Sequence, residues 1–244
     1  MDRAVFDRMA QIDGEHWWFA ARREIVANLI QRQAGLGPKA RILEVGAGTG
    51  SNLELLMRYG RVDAIEPDDQ ARALASARSG IAVKGGLLPD GVEFEDGAYD
   101  LIVLLDVLEH IPDDFGTLAA LRPKLGPSGR LLVTVPASPW MWSSHDAAHH
   151  HHRRYTAGAL TKVFEAAGYR VRYRSHFNTV LFPLIAGARL AGKLLKREGG
   201  DDAIPPKPLN NLLKGLFAAE RHLLGRAKLP FGVSLALVAE PARR

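Results

Sequence analysis

Arg41-Ile42-Leu43-Glu44-Val45-Gly46-Ala47-Gly48-Thr49-Gly50 sets a short apolar run directly against three alternate glycines. Ile42, Leu43 and Val45 suit a buried strand. The glycines let the backbone turn tightly and approach a ligand that any Cβ would hold off. A dinucleotide-phosphate fingerprint needs a further glycine where Ser51 stands, and a P-loop ends in Lys-Ser/Thr, so phosphate cradles are the weaker readings. About twenty positions past Gly46, after a second apolar strand from Val62 to Ile65, Glu66 supplies a carboxylate able to accept hydrogen bonds from ribose hydroxyls. The ligand implied is a nucleoside without a pyrophosphate.

Outward from this turn, strand and helix patterns alternate. Strands are predicted at Ile42 to Val45, Val62 to Glu66, Ile81 to Val83, Leu101 to Asp106, Leu131 to Val135, Tyr169 to Phe177 and Val233 to Ala239. Helices are predicted at Trp17 to Gln33, Leu53 to Arg58, Gln70 to Ser79, Phe115 to Leu125 and Thr156 to Ala167. Such alternation gives an α/β, Rossmann-like, mainly parallel sheet with helices on both faces and its ligand crevice at the carboxyl ends of the strands.

Four passages in this order resemble the class I S-adenosylmethionine-dependent methyltransferases: Glu44 to Gly50 with Glu66, then Gly85-Gly86-Leu87-Leu88-Pro89, then Gly97 to Pro112 with Asp106-Val107-Leu108-Glu109-His110-Ile111-Pro112, then Leu125 to Pro136. The resemblance implies a seven-stranded sheet with an antiparallel last strand. S-adenosyl-L-methionine is implied as cofactor and S-adenosyl-L-homocysteine as product. Gly46, Gly48 and Gly50 would pass the methionine moiety and ribose, Glu44 would help anchor the amino-acid end, and Glu66 would hold the ribose. Relatives often place a carboxylate against adenine after strand three. Gly85-Gly86-Leu87 has none, leaving the backbone at Gly86 and Leu87 for that task. Asp106 and Val107 would flank the sulfonium.

Two further passages resemble a bacterial subgroup of these enzymes. Glu15-His16-Trp17-Trp18-Phe19-Ala20-Ala21-Arg22 matches its entrance motif, in which Trp18 would close over the site and Arg22 would pair with the cofactor carboxylate. Ordinary packing of the helix explains the aromatics equally well. The second passage, Trp142-Ser143-Ser144-His145-Asp146 followed by His151, Arg153, Arg154 and Tyr155, implies a loop above the crevice that meets the acceptor through Trp142, Arg153, Arg154 and Tyr155. Methyl transfer to a hydroxyl needs alignment and removal of a proton, for which a neutral histidine held by a carboxylate is suited. His145 with Asp146 is the first candidate base and His151 the second, against a purely structural role for the loop. His149, His150 and His152 have no counterpart and are expected to be solvated. Imidazoles are common metal ligands, but these lack fixed spacing, and no metal site is expected.

The 244 residues fit one domain with additions: an N-terminal cap over 1–38, a core over 39–178 and 229–244, and a helical insertion over 179–228 between strands six and seven. There is no cysteine, which excludes disulfides, thiolate metal sites and thiol catalysis. Met1 to Asp7 lacks a signal-peptide pattern, so cytoplasmic residence is expected. A net charge of +5 suggests an anionic surface as neighbour. In the insertion, Arg189, Lys193, Lys196 and Arg197 fall on one stripe of a helix over Val180 to Arg197. A second helix gathers Leu209, Leu212, Leu213, Leu216, Phe217, Leu223 and Leu224 on one side. The pair reads as a cover for the domain or a homodimer contact, or as a peripheral contact with the inner face of a membrane through 180–224. The apolar run of the first helix carries Arg189 and is shorter than a bilayer span needs.

The reading is therefore a methyltransferase acting on oxygen of a small or lipid-like acceptor. An RNA methyltransferase is the alternative enzyme, although no RNA-binding module is recognised and DNA is not an expected partner. A cofactor-binding regulatory protein without catalysis is the alternative outside enzymes.

Overall fold

Alternate residues of the central strands face opposite ways, and both sets are apolar, so the strands must be covered on both sides. In β3 (Tyr99–Leu105), Leu101, Val103 and Leu105 enter one core while Ile102 and Leu104 enter the other. The computed structural model describes residues 3–91, 93–194 and 203–242. It contains β1 (Arg41–Val45), β2 (Arg61–Ile65), β3, β4 (Leu125–Pro136), β5 (Tyr169–Phe177) and β6 (Ser234–Pro241) in one sheet of order β2-β1-β3-β4-β6-β5. Pairing is parallel from β2 through β4, and β6 runs antiparallel to both its neighbours.

The sheet has six strands where seven are expected. Ile81 to Val83 forms no strand, and the segment joins the sheet only through a bridge between Ile65 and Lys84. Its apolar run is short, and Gly85 and Gly86 follow at once. A Cβ on Gly86 would lie 2.5 Å from the Gly91 carbonyl and 2.6 Å from Ile65, so the chain is packed as a turn there and cannot extend the ladder.

Helices α1 (Arg3–Ile12), α2 (Trp17–Leu29), α3 (Leu53–Met57), α4 (Asp69–Ser79), α5 (Asp114–Leu121), α6 (Ser144–Ala148), α7 (Ala157–Ala166), α8 (Phe182–Leu194) and α9 (Lys207–Ala219) surround the sheet. Their ends follow local chemistry. Asp68 caps α4 by accepting from the Gln70 and Ala71 amides, and Gly80 ends it in the left-handed conformation at φ +73°. Ile25 and Leu29 of α2, Leu53 and Leu56 of α3 and Ala75 of α4 fill one face of the sheet. Leu118 and Leu121 of α5 with Leu160 and Phe164 of α7 fill the other.

The insertion is built against α2. The Trp17 amide donates to Asn210 Oδ1 (2.9 Å), Asn210 Nδ2 donates to the Glu15 carbonyl (2.9 Å), and Phe217 meets Trp17 edge to face with ring centres 6.0 Å apart. The apolar side of the second insertion helix therefore divides. Phe217 and Leu224 are buried and Leu213 packs on the core, whereas Leu209, Leu212, Leu216 and Leu223 are exposed.

The expected basic stripe does not form a solvent face at Arg189. Its guanidinium turns inward, donates to the Met141 carbonyl at 2.9 Å and lies 3.7 Å from Asp146. The Lys193 side chain and residues Lys196 and Arg197 lie outside the described residues. Among the described residues no helix is long and apolar enough to cross a membrane.

Candidate active site

The carboxyl ends of β1 to β4, the N-terminal helices, the loop after β4 and α8 enclose a cavity of about 1370 Å³. Its floor is the glycine turn. Gly46 and Gly48 have φ of +71° and +54°, a region costly for any side chain. A Cβ on Gly46 would come within 2.6 Å of Val107, whereas one on Gly48 would meet nothing within 4 Å, so Gly48 leaves open space above the backbone. Gly50 serves another purpose: a Cβ there would lie 2.8 Å from Ala75 of α4.

Glu66 grips this turn from β2. Its Oε2 accepts from the Gly48 amide at 2.8 Å and its Oε1 from the Asp68 amide at 3.0 Å, while the carboxylate also lines the cavity. Glu44 lies beneath the turn, outside the cavity wall. It is 1% exposed, accepts from Asn52 Nδ2 at 3.1 Å and is pushed up to about 8 by burial. Asn52 lines the cavity in its place.

The N-terminal segment closes one side. Phe6, Met9, Ile12 and Trp17 to Phe19 line the cavity. Asp13, buried, accepts from Thr49 of the glycine turn and from Arg78 (3.0 Å), which fixes the segment over the floor. Trp18 and Arg22 reach the cavity together, with the guanidinium 5.1 Å from the indole centre. Arg22 is already paired: it lies 2.8 Å from Asp106 Oδ2 and donates to the Leu105 carbonyl at 3.2 Å. Asp106 holds a φ of +57°, an unusual conformation for a residue with a side chain, at the carboxyl end of β3. Val107, Gly86 and Leu87 complete this part of the wall.

Opposite stands the loop after β4. Ser143 and Asp146 form a capping box on α6, so the Asp146 carboxylate points back into the loop. It is fully buried, accepts from Arg154 Nε (2.7 Å), His151 Nδ1 (2.9 Å) and the Ser143 amide (2.9 Å), and has Arg189 beyond. Burial alone would raise its pKa, but the His151 hydrogen bond and the Arg154 charge hold it below the ordinary carboxylate range. Adjacent His145 is not the ring that Asp146 is seen to bond. His145 lines the cavity as a base depressed to about 4 by burial and by the Arg189 charge. His151 and Arg154 also face the cavity.

The remaining loop residues fall elsewhere. Trp142, Arg153 and Tyr155 do not line the cavity. Arg153 pairs with Asp114 at 2.8 Å and the Tyr155 hydroxyl donates to the same carboxylate at 2.9 Å, so both fasten the loop to α5. His149, expected to be solvated, is buried and lines the cavity, its ring 4.2 Å from that of His145; His150 and His152 are exposed. The sequence also gave no role to Glu109, His110 or Asn178, and it placed Arg189 on a surface stripe; all four are in the wall. Asn178 is fully buried at φ +56°, and its side-chain amide has no hydrogen-bond partner among the described residues. A polar residue beside His-Ile-Pro after a strand was the available signal for Glu109 and His110.

The sequence model of a family described as a methyltransferase domain matches residues 18–173. A probable S-adenosylmethionine-dependent methyltransferase of Mycolicibacterium smegmatis is 27% identical over 161 residues, covering 64% of this chain and 61% of that protein. A ubiquinone biosynthesis O-methyltransferase of Sodalis glossinidius is 30% identical over 123 residues, covering 47% and 48% respectively. The chain thus spans about half to three-fifths of the length of these curated relatives. Among solved structures, the methyltransferase in a Haloferax volcanii complex with the Trm112 methyltransferase activator superposes with a TM-score of 0.64 at 16% identity, covering 99% of this chain and 96% of that one. A SAM-dependent methyltransferase of Archaeoglobus fulgidus gives 0.56 at 18% identity, covering 89% and 93%. The chain belongs to the class I S-adenosylmethionine-dependent methyltransferase family. The cofactor of that family is S-adenosyl-L-methionine, and the residues fit it: a glycine turn open above Gly48, with the Glu66 carboxylate lining the same cavity.

Proposed function

We propose that this protein transfers a methyl group from S-adenosyl-L-methionine to an oxygen of a small or lipid-like acceptor. The observation that carries the reading is His151, held by the buried Asp146 and lining the same cavity as the glycine turn. When bound, the cofactor supplies an electrophilic methyl group on a positively charged sulfur. Gly46, Gly48 and Glu66 would hold it, with Gly86 and Leu87 along the adenine and Asp106 and Val107 near the sulfur. His151, with Nδ1 engaged by Asp146, keeps Nε2 for the proton of the acceptor hydroxyl. The acceptor oxygen then forms its bond to carbon as the carbon–sulfur bond breaks and its electrons return to sulfur. His145 is a second neutral imidazole beside this position.

A cavity of about 1370 Å³ suits a small molecule. Exposed Leu184 lines the mouth and Leu190 follows on the same helix, which suits an acceptor with an apolar portion. The N-terminal helices act as the cap in this reading. The Sodalis relative is named for O-methylation in ubiquinone biosynthesis, and a phenolic or lipid-tailed acceptor is the first class to screen. The test is single-turnover methyl transfer from labelled cofactor to hydroxyl acceptors with and without an apolar tail. Transfer to none of them, with S-adenosylhomocysteine still bound, would favour a non-catalytic role.

A further inference from the structure

Glu109 is fully buried in the turn after β3 and lines the cavity, yet neither carboxylate oxygen accepts a hydrogen bond from another residue among those described. Buried carboxyl groups are ordinarily compensated by a donor or a cation. His110 follows it directly, and the loop brings His151 alongside. One ligand atom from each of Glu109, His110 and His151 lies within 4.8 Å of the other two. The arrangement is fixed by the backbone: the His152 amide donates to the Glu109 carbonyl at 2.8 Å, and the His110 and His151 rings meet edge to face at 4.7 Å. A carboxylate holding the far nitrogen of an imidazole, as Asp146 holds His151 Nδ1 at 2.9 Å, is the support usual behind metal-ligating histidines.

We propose that Glu109, His110 and His151 bind a divalent transition-metal ion of the zinc, manganese or iron(II) type, with its open position toward the acceptor. Two imidazoles and one carboxylate suit these ions, whereas magnesium and calcium favour all-oxygen sets. Ligand bonds of about 2.0–2.2 Å require the three side chains to draw together by rotation, which an open cavity permits. A hydroxyl on the ion would lose its proton more readily, with His151 then acting as a ligand instead of the base. That role rests on the methyl-transfer reading; ion binding does not.

The test strips the full chain with chelator and titrates it with Co²⁺ and Zn²⁺, following cobalt visible absorption and calorimetry. One ion per chain is expected, weakened at least tenfold by Glu109→Gln and by His151→Ala, and unchanged by His152→Ala at an exposed control position. Absence of binding, or binding insensitive to Glu109→Gln and His110→Ala and so held by His145 and His149, overturns the proposal. S-adenosylhomocysteine affinity is measured on the same samples. Its retention in the variants shows that they are folded, and its absence in the parent would remove the methyltransferase reading while leaving the metal result standing.

Discussion

Asp146 is bonded to His151, across the loop, with its carboxylate 2.9 Å from Nδ1. The same carboxylate receives Arg154 at 2.7 Å, so a single buried anion orients an imidazole and neutralises a buried guanidinium. Orientation and stability are therefore coupled at this residue. Removing His151 leaves the Asp146–Arg154 pair, whereas removing Asp146 leaves a buried cation without its partner.

His151→Ala is expected to lower turnover ~100-fold or more while S-adenosylhomocysteine affinity stays nearly constant, because the proposal gives the ring the acceptor's proton and not the cofactor. Asp146→Ala is expected to lose a similar factor and, in addition, roughly 3–5 kcal/mol of stability. Steady-state kinetics with denaturant unfolding separates the two. Full activity in His151→Ala would return the loop to a structural role.

Glu66→Ala removes the acceptor of the Gly48 and Asp68 amides together with the carboxylate proposed to hold the ribose. Calorimetry should show S-adenosylhomocysteine weakened by ~1–3 kcal/mol. An unchanged affinity would mean that the ribose sits elsewhere.

The two glycines of the turn should fail differently. Gly46→Ala meets Val107 at 2.6 Å and adopts a disfavoured φ, so it is expected to lower the melting temperature. Gly48→Ala has open space, and beyond a conformational cost of roughly 1–2 kcal/mol its main effect should be on cofactor binding. Equal loss of binding with no loss of stability in Gly46→Ala would contradict the packing account.

Glu44 gives the fold a pH dependence. Burial raises its carboxyl to about 8, so the folded chain holds a proton that the unfolded chain releases near its ordinary value of 4.5. This contribution is fully present below that ordinary value and is lost as pH rises toward 8. Glu44→Gln should therefore gain stability relative to the parent at pH 8 and little at about pH 4. Chemical unfolding across that range, in the absence of cofactor, checks the slope; parallel curves would disprove it.

Much of the sheet was legible because its signals are local. Apolar runs ended by glycine or a carboxylate define β1 to β3 over a few residues each, and the glycine turn with Glu66 states its chemistry in one passage. The missing strand at Ile81 to Val83 failed for want of length against Gly85-Gly86, a competition visible only once Gly86 is seen packed on Ile65 and Gly91. Residue type likewise announced a histidine-rich loop with a carboxylate, but not which ring the carboxylate holds. The capping box aims Asp146 and the chain reversal delivers His151 to it. Helical periodicity placed Arg189 on a basic stripe, and tertiary structure turned it inward because Asp146 and the Met141 carbonyl offer a buried cation its partners. The sequence by itself determined six of the seven strands it announced, the glycine turn and the family. Only the folded chain decided which distant groups meet at the acceptor side, since burial, ion pairing and the approach of Glu109 to His151 depend on contacts that no local pattern encodes.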